Sequence, residues 1–303
     1  MSVPAAYVGV VLLWATTPLA IKWSVEGSSY LFGITARMGI GMAFCLLVIA
    51  MVRIAFPWDS TARRIYLVAG ATLYGSMLTV YWGAQFIPSG LIAVIFGLTP
   101  LATGVMAGIW LNERGLTPLK LIGMTLGFTG LAIIFDAGRE WQATAWQGIL
   151  AMLLSLLIHS AGTVWVKRLG NHAHLHPLAV NGGALCVAAP LFLITWFALE
   201  GTPPDTVTLR AALSIAYLGI VATVLGFTLY YYILRHLAAG VIALITLITP
   251  VLALLLGQGL NGEAIQAKVW WGTAIILVGL LSYQWESLAT ARQGAKLRPE
   301  RSE

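Results

Sequence analysis

The feature that most constrains this chain is a series of long apolar stretches that are nearly free of charge. Stretches of about 18 or more such residues recur along the sequence, and a helix of that length can cross the hydrocarbon core of a bilayer. Hydrophobic residues make up 59% of the 303-residue chain and charged residues only 9%, against roughly 25% charged residues in soluble globular domains. The sequence therefore predicts a multi-pass membrane protein and excludes an ordinary soluble domain.

Charged and turn-forming residues divide the apolar sequence into ten predicted transmembrane helices. Their predicted bounds are 4–22, 30–52, 66–86, 89–111, 117–135, 147–168, 177–199, 209–232, 237–259 and 268–286. Only IPSG separates the third helix from the fourth, and only RHLAAG separates the eighth from the ninth. We expect each of these two pairs to pack as an antiparallel hairpin.

Lysine and arginine residues are distributed unequally between alternate loops. Twelve lie in the loops, helix ends and tail on one side and four on the other, and Arg37 alone lies well inside a predicted helix. Cytoplasmic loops carry the excess of basic residues in multi-pass proteins. The asymmetry predicts that both termini lie in the cytoplasm. It also accounts for the net charge of +6 without a nucleic-acid partner.

The chain contains two copies of one pattern, offset by 150 residues. GLIAVIFGLTP (90–100) and GVIALITLITP (240–250) share glycine, isoleucine, alanine, threonine and proline at equivalent places, and Glu113 matches Glu263. Each copy holds five predicted helices, an odd number, so the second copy enters the membrane from the opposite side. We therefore expect an inverted repeat around a central cavity, an arrangement that permits alternating access. The predicted units are residues 1–138, residues 139–288 and a cytoplasmic tail, 289–303.

Two stretches of the sequence resemble the EamA-type branch of the drug/metabolite transporter superfamily. They are GLIAVIFGLTPLATGVMAGIWLNERGLTPLKLIGMTLGFTGLAII and YLGIVATVLGFTLYYYILRHLAAGVIALITLITPVLALLLGQGLNGE. Both resemble the family's pattern of small residues, a mid-helix proline and a glutamate at the helix end. The resemblance implies a ten-helix exporter of amino acids or other metabolites, most similar to the YddG-type exporters of aromatic amino acids. After Glu263 the chain continues as AIQAK, where the family usually has a basic segment.

The acidic residues all lie in predicted loops, at helix ends or in the tail. They are Glu26, Asp59, Glu113, Asp136, Glu140, Glu200, Asp205, Glu263, Glu286, Glu300 and Glu303. A transporter that exchanges cationic drugs for protons needs a carboxylate at membrane depth, so this distribution disfavours such an antiporter. Glu113 and Glu263 are expected to serve contacts between helices.

Two ionisable groups lie deep within predicted helices. Arg37 lies about a third of the way along the second helix and His159 near the middle of the sixth. Such residues usually face protein or a water-filled cavity. Arg37 either neutralises a substrate carboxylate or bonds the carbonyls of a neighbouring helix, and His159 either contacts substrate or is a packing residue. Lys22 and Lys167, which correspond in the repeat, either reach the membrane surface or attract an anion.

Aromatic rings and small hydroxyls are the other groups available to a site at membrane depth. Such a lining suits a small, partly apolar, zwitterionic solute. The predicted substrate-binding residues are Trp14, Thr17, Tyr74, Tyr81, His159, Thr163, Trp165, Phe227 and Tyr231. Each of them can also be explained by contact with lipid or by helix packing.

Pro100 and Pro250 form a predicted pair of hinges near the membrane midplane. Each ring lacks an N–H and displaces the carbonyl four residues back, that of Phe96 or Thr246. Thr99 and Thr249 can then offer their hydroxyls to the loosened backbone. Non-regular backbone at this depth is tolerated only where it is buried in protein or lines a cavity.

Other chemistries find little support in the sequence. There is no G-x-x-x-x-G-K-[ST] loop, so an ATPase site within the chain is not expected. No cofactor is expected either. Ser160 follows His159 directly, but neighbouring residues on a helix point in different directions. The HAHLH segment, with His172, His174 and His176, is expected to be a solvated loop without a metal.

The predicted function is that of a secondary transporter or facilitator that exports small metabolites, with aromatic or hydrophobic amino acids as the first candidates. Its expected partners are a small-molecule substrate and the lipid bilayer, with no nucleic acid and no obligatory protein partner. The alternatives are export of another metabolite or drug-like solute, or, more remotely, an intramembrane enzyme. The enzyme would need ionisable groups such as Arg37 and His159 to meet Ser160 at one depth.

Overall fold

The computed structural model describes residues 2–112, 117–141, 144–169, 175–237, 241–242 and 244–296. Side chains are described for these residues except 138–141, 231, 234, 235 and 286–296. Glu113, His172 and His174, which the sequence analysis singled out, lie outside the described residues, as does the side chain of Tyr231.

All regular secondary structure in the described residues is helical. The helices are α1 (Val3–Trp23), α2 (Tyr30–Val52), α3 (Ser60–Gly83), α4 (Ser89–Phe96), α5 (Thr99–Leu111), α6 (Pro118–Trp141), α7 (Ala145–Arg168), α8 (Pro177–Leu199), α9 (Leu209–Ala216), α10 (Gly226–His236), α11 (Ile245–Asn261) and α12 (Ala267–Lys296). A π-helical segment, Tyr217–Leu225, joins α9 to α10 and is called the π segment below.

These helices group into ten successive units within the described residues, because α4 continues into α5 and α9 continues through the π segment into α10. Eight units are long and apolar enough to cross a membrane, and Ile245–Asn261 is a shorter apolar helix. The predicted all-helical, ten-helix membrane fold is confirmed.

Several predicted boundaries were wrong. Helix α6 ends at Trp141 instead of 135, and α11 begins at Ile245 instead of 237. Helix α3 begins at Ser60 instead of 66 and ends at Gly83 instead of 86. Asp59 explains the early start, since its carboxylate accepts hydrogen bonds from the backbone N–H groups of Thr61 and Ala62 at 3.1 and 3.3 Å, which is the usual action of an N-cap. At the other end of the chain, α12 continues to Lys296 instead of ending at 286.

The main packing contacts close into a ring of eight units. Buried side chains such as Ile34, Tyr81 and Met152 fill the larger core between them, and Val10, Ile233 and Ile245 belong to a smaller one. Going round the ring, each unit packs on the next in the order α1, α9–α10, α2, α8, α3, α7, α4–α5 and α11, which returns to α1.

The two predicted hairpins are not formed by the described residues. Helix α3 packs between α7 and α8, whereas α4, to which a short loop connects it, packs on α11, α1 and α7. Likewise α10 packs on α1, while α11 packs on α4 and α1. A short loop fixes where the next helix starts but leaves its tilt free, and burial against other helices determines its neighbours.

Helices α6 and α12 form a pair that joins the ring through α5, α7 and α11. Two glycine pairs bring their backbones together. A Cβ atom added at Gly123 would lie 2.5 Å from the carbonyl oxygen of Gly279, and one added at Gly130 would lie 2.5 Å from that of Gly272. Small residues allow close helix approach in membranes, where lipid supplies no hydrophobic force between helices.

Candidate functional site

The fourth unit is interrupted where the sequence places its proline. Helix α4 ends at Phe96, Gly97 and Leu98 form a turn, and α5 begins at Thr99. Pro100 has no N–H for the carbonyl of Phe96, and the hydroxyl of Thr99 donates to that carbonyl instead, at 2.5 Å. The carbonyl that the proline leaves without a backbone donor therefore receives a hydrogen bond from a side chain of the same unit.

Pro250, the counterpart of Pro100, lies in a different local structure. It is a buried residue inside α11, which runs without a break from Ile245 to Asn261. Thr249 is also buried, and the neighbouring α12 contributes a hydrogen bond from Gln284 Nε2 to Thr246 Oγ1 at 3.2 Å. The two prolines thus share a sequence position in the repeat but differ in helix position, since Pro100 lies in the first turn of α5 and Pro250 in the interior of α11.

The interrupted unit meets both α11 and α7. On one side, a Cβ atom added at Gly97 would lie 3.4 Å from Cγ of Pro250. On another, the ring of Phe96 lies edge-on to His159, with the ring centroids 6.3 Å apart. His159 is accessible, whereas the adjacent Ser160 is fully buried and its hydroxyl has no partner among the described residues. The two side chains therefore point in different directions, as expected on a helix.

Two predicted site threonines bond to their own helices. Thr17 Oγ1 donates to Leu13 O at 2.6 Å, and Thr163 Oγ1 donates to His159 O at 2.8 Å. This bonding to the preceding turn satisfies the hydroxyl hydrogen in an apolar setting. The oxygen lone pairs of both residues remain available as acceptors.

The predicted aromatic residues are spread around the ring and do not form one cluster. The ring of Trp14 packs on Tyr230 at 5.0 Å. Phe227 also lies on α10, on an accessible face. The described partners of the remaining predicted aromatics lie elsewhere: Tyr74 packs on Phe192 and shares a 2.7 Å hydrogen bond with Thr195, and Trp165 lies edge-on to Trp110 at 6.3 Å.

Arg37 and Tyr81 are the predicted site residues that contact each other directly. Arg37 is only 7% exposed and Tyr81 is fully buried. Arg37 Nη1 donates to the Tyr81 hydroxyl at 3.4 Å, and the guanidinium lies 5.9 Å from the centre of the tyrosine ring. The Nε of Arg37 is buried without a hydrogen-bond partner among the described residues.

Two further hydroxyls belong to this part of the molecule, and sequence reasoning missed both. Tyr217 begins the π segment, whose Gly219 lies against the backbone of Arg37. The hydroxyl of Tyr217 forms a 2.6 Å hydrogen bond with Thr16 on α1. A tyrosine inside an apolar stretch was visible in the sequence, but the packing of the π segment against α2 was not.

Glu263 joins two helices at the membrane face that was predicted to be external. Its Oε2 accepts from the backbone N–H and the hydroxyl of Ser89, the first residue of α4, at 2.8 and 2.9 Å. Asn261 donates to Oε1 at 2.9 Å and accepts from Trp23 Nε1 at 2.9 Å. The carboxylate therefore caps the start of α4 and connects it to the ends of α1 and α11.

Lys22 and Lys167 lie at opposite ends of the ring. Lys22, near the end of α1, is partly buried and interacts electrostatically with Glu263. Lys167 is exposed in the last turn of α7.

His176 has a structural position at the start of α8. Its Nδ1 accepts from the backbone N–H of Leu178 at 3.2 Å, which caps the helix. Among the residues that the structure describes, no group of three or more histidine, cysteine, aspartate or glutamate side chains is placed to hold a metal ion.

Comparison with known proteins gives matches over most of the chain. The EamA-like transporter family matches residues 3–136 and again residues 146–283. The uncharacterized transporter YoaV of Bacillus subtilis is 25% identical, with 90% of this chain and 93% of YoaV aligned. Protein PagO of Salmonella typhimurium is 26% identical, with 88% of this chain and 87% of PagO aligned.

Two further comparisons agree with these. The uncharacterized inner membrane transporter YedA of Escherichia coli is 23% identical, with 89% of this chain and 86% of YedA aligned. A solved structure described only as the crystal structure of a protein superposes with a TM-score of 0.66 over 96% of this chain and 99% of its own, at 20% identity. That likeness concerns the fold alone.

Proposed function

Because the chain belongs to the EamA-like transporter family, we propose that it is a secondary transporter or facilitator that exports small metabolites by alternating access. It is a multi-pass membrane protein with ten helical units, and the relatives named above include transporters. Aromatic and other hydrophobic amino acids are the proposed substrate class. The proposed location is the bacterial inner membrane, with both termini in the cytoplasm.

The observation that carries this proposal is the interruption of the fourth unit at Gly97 and Leu98. Backbone that departs from a helix at membrane depth is tolerated where it is buried in protein or lines a cavity. The turn at Gly97 and Leu98 is followed by Pro100 and flanked by Pro250 and His159. We propose that it acts as a hinge beside the solute pathway.

The predicted inverted repeat remains part of the proposal, with halves 1–138 and 139–288 and a tail 289–303. The packing ring supports it, because units of the first half alternate with units of the second all the way round. The α6–α12 contact supports it as well. Gly123 faces Gly279 and Gly130 faces Gly272, as expected where a two-fold axis relates the two helices.

The substrate class is supported by the character of the side chains at membrane depth. Aromatic rings, hydroxyls, one histidine and one buried arginine suit a solute with an apolar body and a few polar groups. Trp14, Tyr74, Tyr81, His159 and Phe227 are the proposed ring-bearing contacts. Thr17 and Thr163 are proposed contacts through their acceptor lone pairs, and Trp165 and Tyr231 complete the proposed set.

The intramembrane enzyme is not favoured by any geometry in the described residues. Ser160 is buried with no partner there, and His159 contacts Phe96. Arg37 bonds to Tyr81. Export of a different metabolite or drug-like solute is the remaining alternative, and the same transport assay distinguishes it.

The proposal is tested with purified protein in liposomes that are loaded with unlabelled solute and supplied with labelled solute outside. We expect labelled phenylalanine, tryptophan or leucine to exchange faster than in protein-free liposomes, and the assay is repeated with an imposed proton gradient. Pro100→Ala is expected to slow exchange several-fold while expression and insertion stay normal. Failure of every amino acid to exchange, with another solute class exchanging, would overturn the substrate assignment.

A further inference from the structure

We propose that Arg37, Tyr81, Tyr217 and Thr16 form a binding site for the carboxylate group of the transported solute. This site rests on the proposed transport function and specifies one chemical requirement of its substrate. Tyr217 and Thr16 were not among the residues that the sequence predicted. Arg37 lies on α2, Tyr81 on α3, Tyr217 in the π segment and Thr16 on α1.

The charge of Arg37 is the first argument. A buried guanidinium ordinarily needs a counter-ion, because removing it from water is costly. The ion pairs formed by the described residues, Arg210–Glu26 and Lys268–Asp136, lie at accessible helix ends, and no described carboxylate pairs with Arg37. Its hydrogen bond to Tyr81 is long, at 3.4 Å, and its Nε has no partner among the described residues. The site is electrostatically incomplete without an anion.

Three of the four residues, Thr16, Arg37 and Tyr217, lie at a similar depth. Thr16 is seven residues before the end of α1, and Arg37 is seven residues after the start of α2. At about 1.5 Å per helical residue, both lie about 10 Å inside the same membrane face. Tyr217 follows the eight residues of α9, which starts at that face, so it reaches a similar level. A solute bound there would be well inside the membrane.

The π segment explains how Tyr217 comes close to Arg37. Its Gly219 lies against the backbone of α2, where an added Cβ atom would be 3.0 Å from the carbonyl oxygen of Arg37. The wider turn leaves carbonyls in need of donors, which Thr223 supplies to Leu218 O at 2.8 Å and Asn181 supplies to Thr223 O at 3.3 Å. π-helical turns are rare and frequently occur at functional sites.

A carboxylate fits these groups better than other anions. The guanidinium presents a planar fork of donors that matches the two oxygens of a carboxylate. The hydroxyl of Tyr81 can add one donor. The hydroxyl of Tyr217 can add a second when Thr16 donates to it; when Thr16 instead donates to Leu12 O, at 2.7 Å, the Tyr217 hydrogen is used on Thr16. One cation balances one carboxylate, whereas a phosphate dianion would leave negative charge in the membrane.

The test measures binding directly, through thermal stabilisation of the purified, detergent-solubilised full chain. A ligand that binds only the folded state raises the unfolding temperature, and at a fixed concentration the rise increases with the logarithm of its affinity. The probes are L-phenylalanine, 3-phenylpropionate, phenethylamine and L-phenylalaninamide, together with L-leucine and its amine and amide counterparts. We expect the wild-type protein to be stabilised by the carboxylate-bearing members and not by the matched amines or amides.

Variants then locate the carboxylate. Arg37→Gln should weaken binding of the carboxylates at least about tenfold, since it removes a charge-assisted hydrogen-bonded pair, and Arg37→Lys should retain part of the affinity. Tyr217→Phe, which keeps the ring and is expected to fold, should weaken carboxylate binding by a few-fold. Arg210→Gln and Tyr7→Phe are the matched controls, because both lie away from Arg37, and neither should change the preference.

Two outcomes of the binding measurements would overturn the inference. One is a wild-type protein that shows no preference for carboxylates over the matched amines and amides. The other is that every folded Arg37 variant, Arg37→Gln or Arg37→Lys, and Tyr217→Phe bind the carboxylates as tightly as the wild-type protein. Exchange of an amine or neutral solute in liposomes would overturn the inference while leaving transport intact. A carboxylate that binds through Arg37 without any exchange in liposomes would support the inference and overturn the transport function.

Discussion

At the scale of single residues, Thr99 and Arg37 illustrate two ways of placing polar groups in a membrane. Thr99 satisfies a backbone carbonyl that Pro100 leaves without a donor. Arg37 is itself left incompletely satisfied, with one hydroxyl partner and a buried Nε. The first arrangement stabilises the folded chain, whereas the second retains binding capacity for a solute.

Thr99→Val tests the first arrangement. Loss of the hydroxyl leaves the Phe96 carbonyl without a donor, and we expect a loss of about 0.5–1.5 kcal/mol in the free energy of unfolding. The matched control is Thr249→Val at the equivalent repeat position, where α11 is continuous, and a smaller loss is expected. Chemical denaturation in detergent measures both, and an equal loss in the two variants would contradict the assigned role of Thr99.

Arg37 and His159 could be identified from the sequence because ionisable residues are rare inside membrane helices. Pro100 could be identified because it recurs 150 residues later as Pro250. Tyr217 and Thr16 could not, since neither residue type is unusual in an apolar helix. Their proximity to Arg37 depends on the π segment, which shifts the hydrogen-bond pattern over nine residues. No residue in that segment forces such a shift, so its position is a product of packing.

At the scale of helices, glycine controls how closely two elements approach. In the sequence, Gly123 and Gly130 on α6 are seven residues apart, as are Gly272 and Gly279 on α12. In the structure, the backbone at Gly123 contacts that at Gly279, and the backbone at Gly130 contacts that at Gly272. Spacing alone places glycines on one helix face but does not say which helix that face meets.

Gly130→Ala tests this contact. The added methyl would meet the Gly272 carbonyl oxygen at 2.5 Å, and overpacking of this kind costs about 1–3 kcal/mol. Gly108→Ala on α5 is the control, because an added Cβ has no heavy atom within 4 Å there and alanine favours a helix by up to about 1 kcal/mol. Thermal unfolding of both variants is the measurement, and a stabilised Gly130→Ala would contradict the close approach.

Glu263→Ala tests the connection between α4 and the ends of α1 and α11. Removing the carboxylate leaves Ser89 N–H without its acceptor and breaks the bond from Asn261. Charge-assisted hydrogen bonds contribute about 1.5–3 kcal/mol, so we expect a loss of that order. Asp136→Ala, which removes an accessible ion pair with Lys268, should cost at most about 1 kcal/mol. Equal losses in the two variants would show that Glu263 acts only as a surface charge.

At the scale of the whole molecule, the alternation of units around the ring limits how the protein can move. Each unit of the first repeat in the ring packs mainly on units of the second. The predicted halves are therefore interleaved, and they do not form two separate bundles in the described residues. During alternating access, the groups of helices that move together are then expected to contain helices of both halves. Bending is expected at interruptions such as Gly97–Leu98.

The sequence predicted the number of helices and the repeat because both follow from hydropathy and from residue identity at a fixed offset. It did not predict the order of units around the ring. Helices α3 and α4 are adjacent in the chain and were expected to pack together, yet α3 lies between α7 and α8. Apolar helices offer lipid-like surfaces on all sides, so small residues and hydrogen bonds such as Ser76–Ser155, at 2.8 Å, select the partners.

Separation of the halves tests the interleaving. We expect fragments 1–141 and 142–303, expressed alone, to aggregate or be degraded, because each exposes helix faces that the other half covers. Co-expressed fragments should assemble, purify together and unfold near the temperature of the intact chain. The control is the intact chain cleaved after folding at a protease site inserted between residues 142 and 143. It shows whether the two halves stay together without a covalent link once the chain has folded. Fragments that are each monodisperse and unfold cooperatively alone would mean that the halves are independent bundles, and alternating access would then be expected to proceed by their rigid rotation.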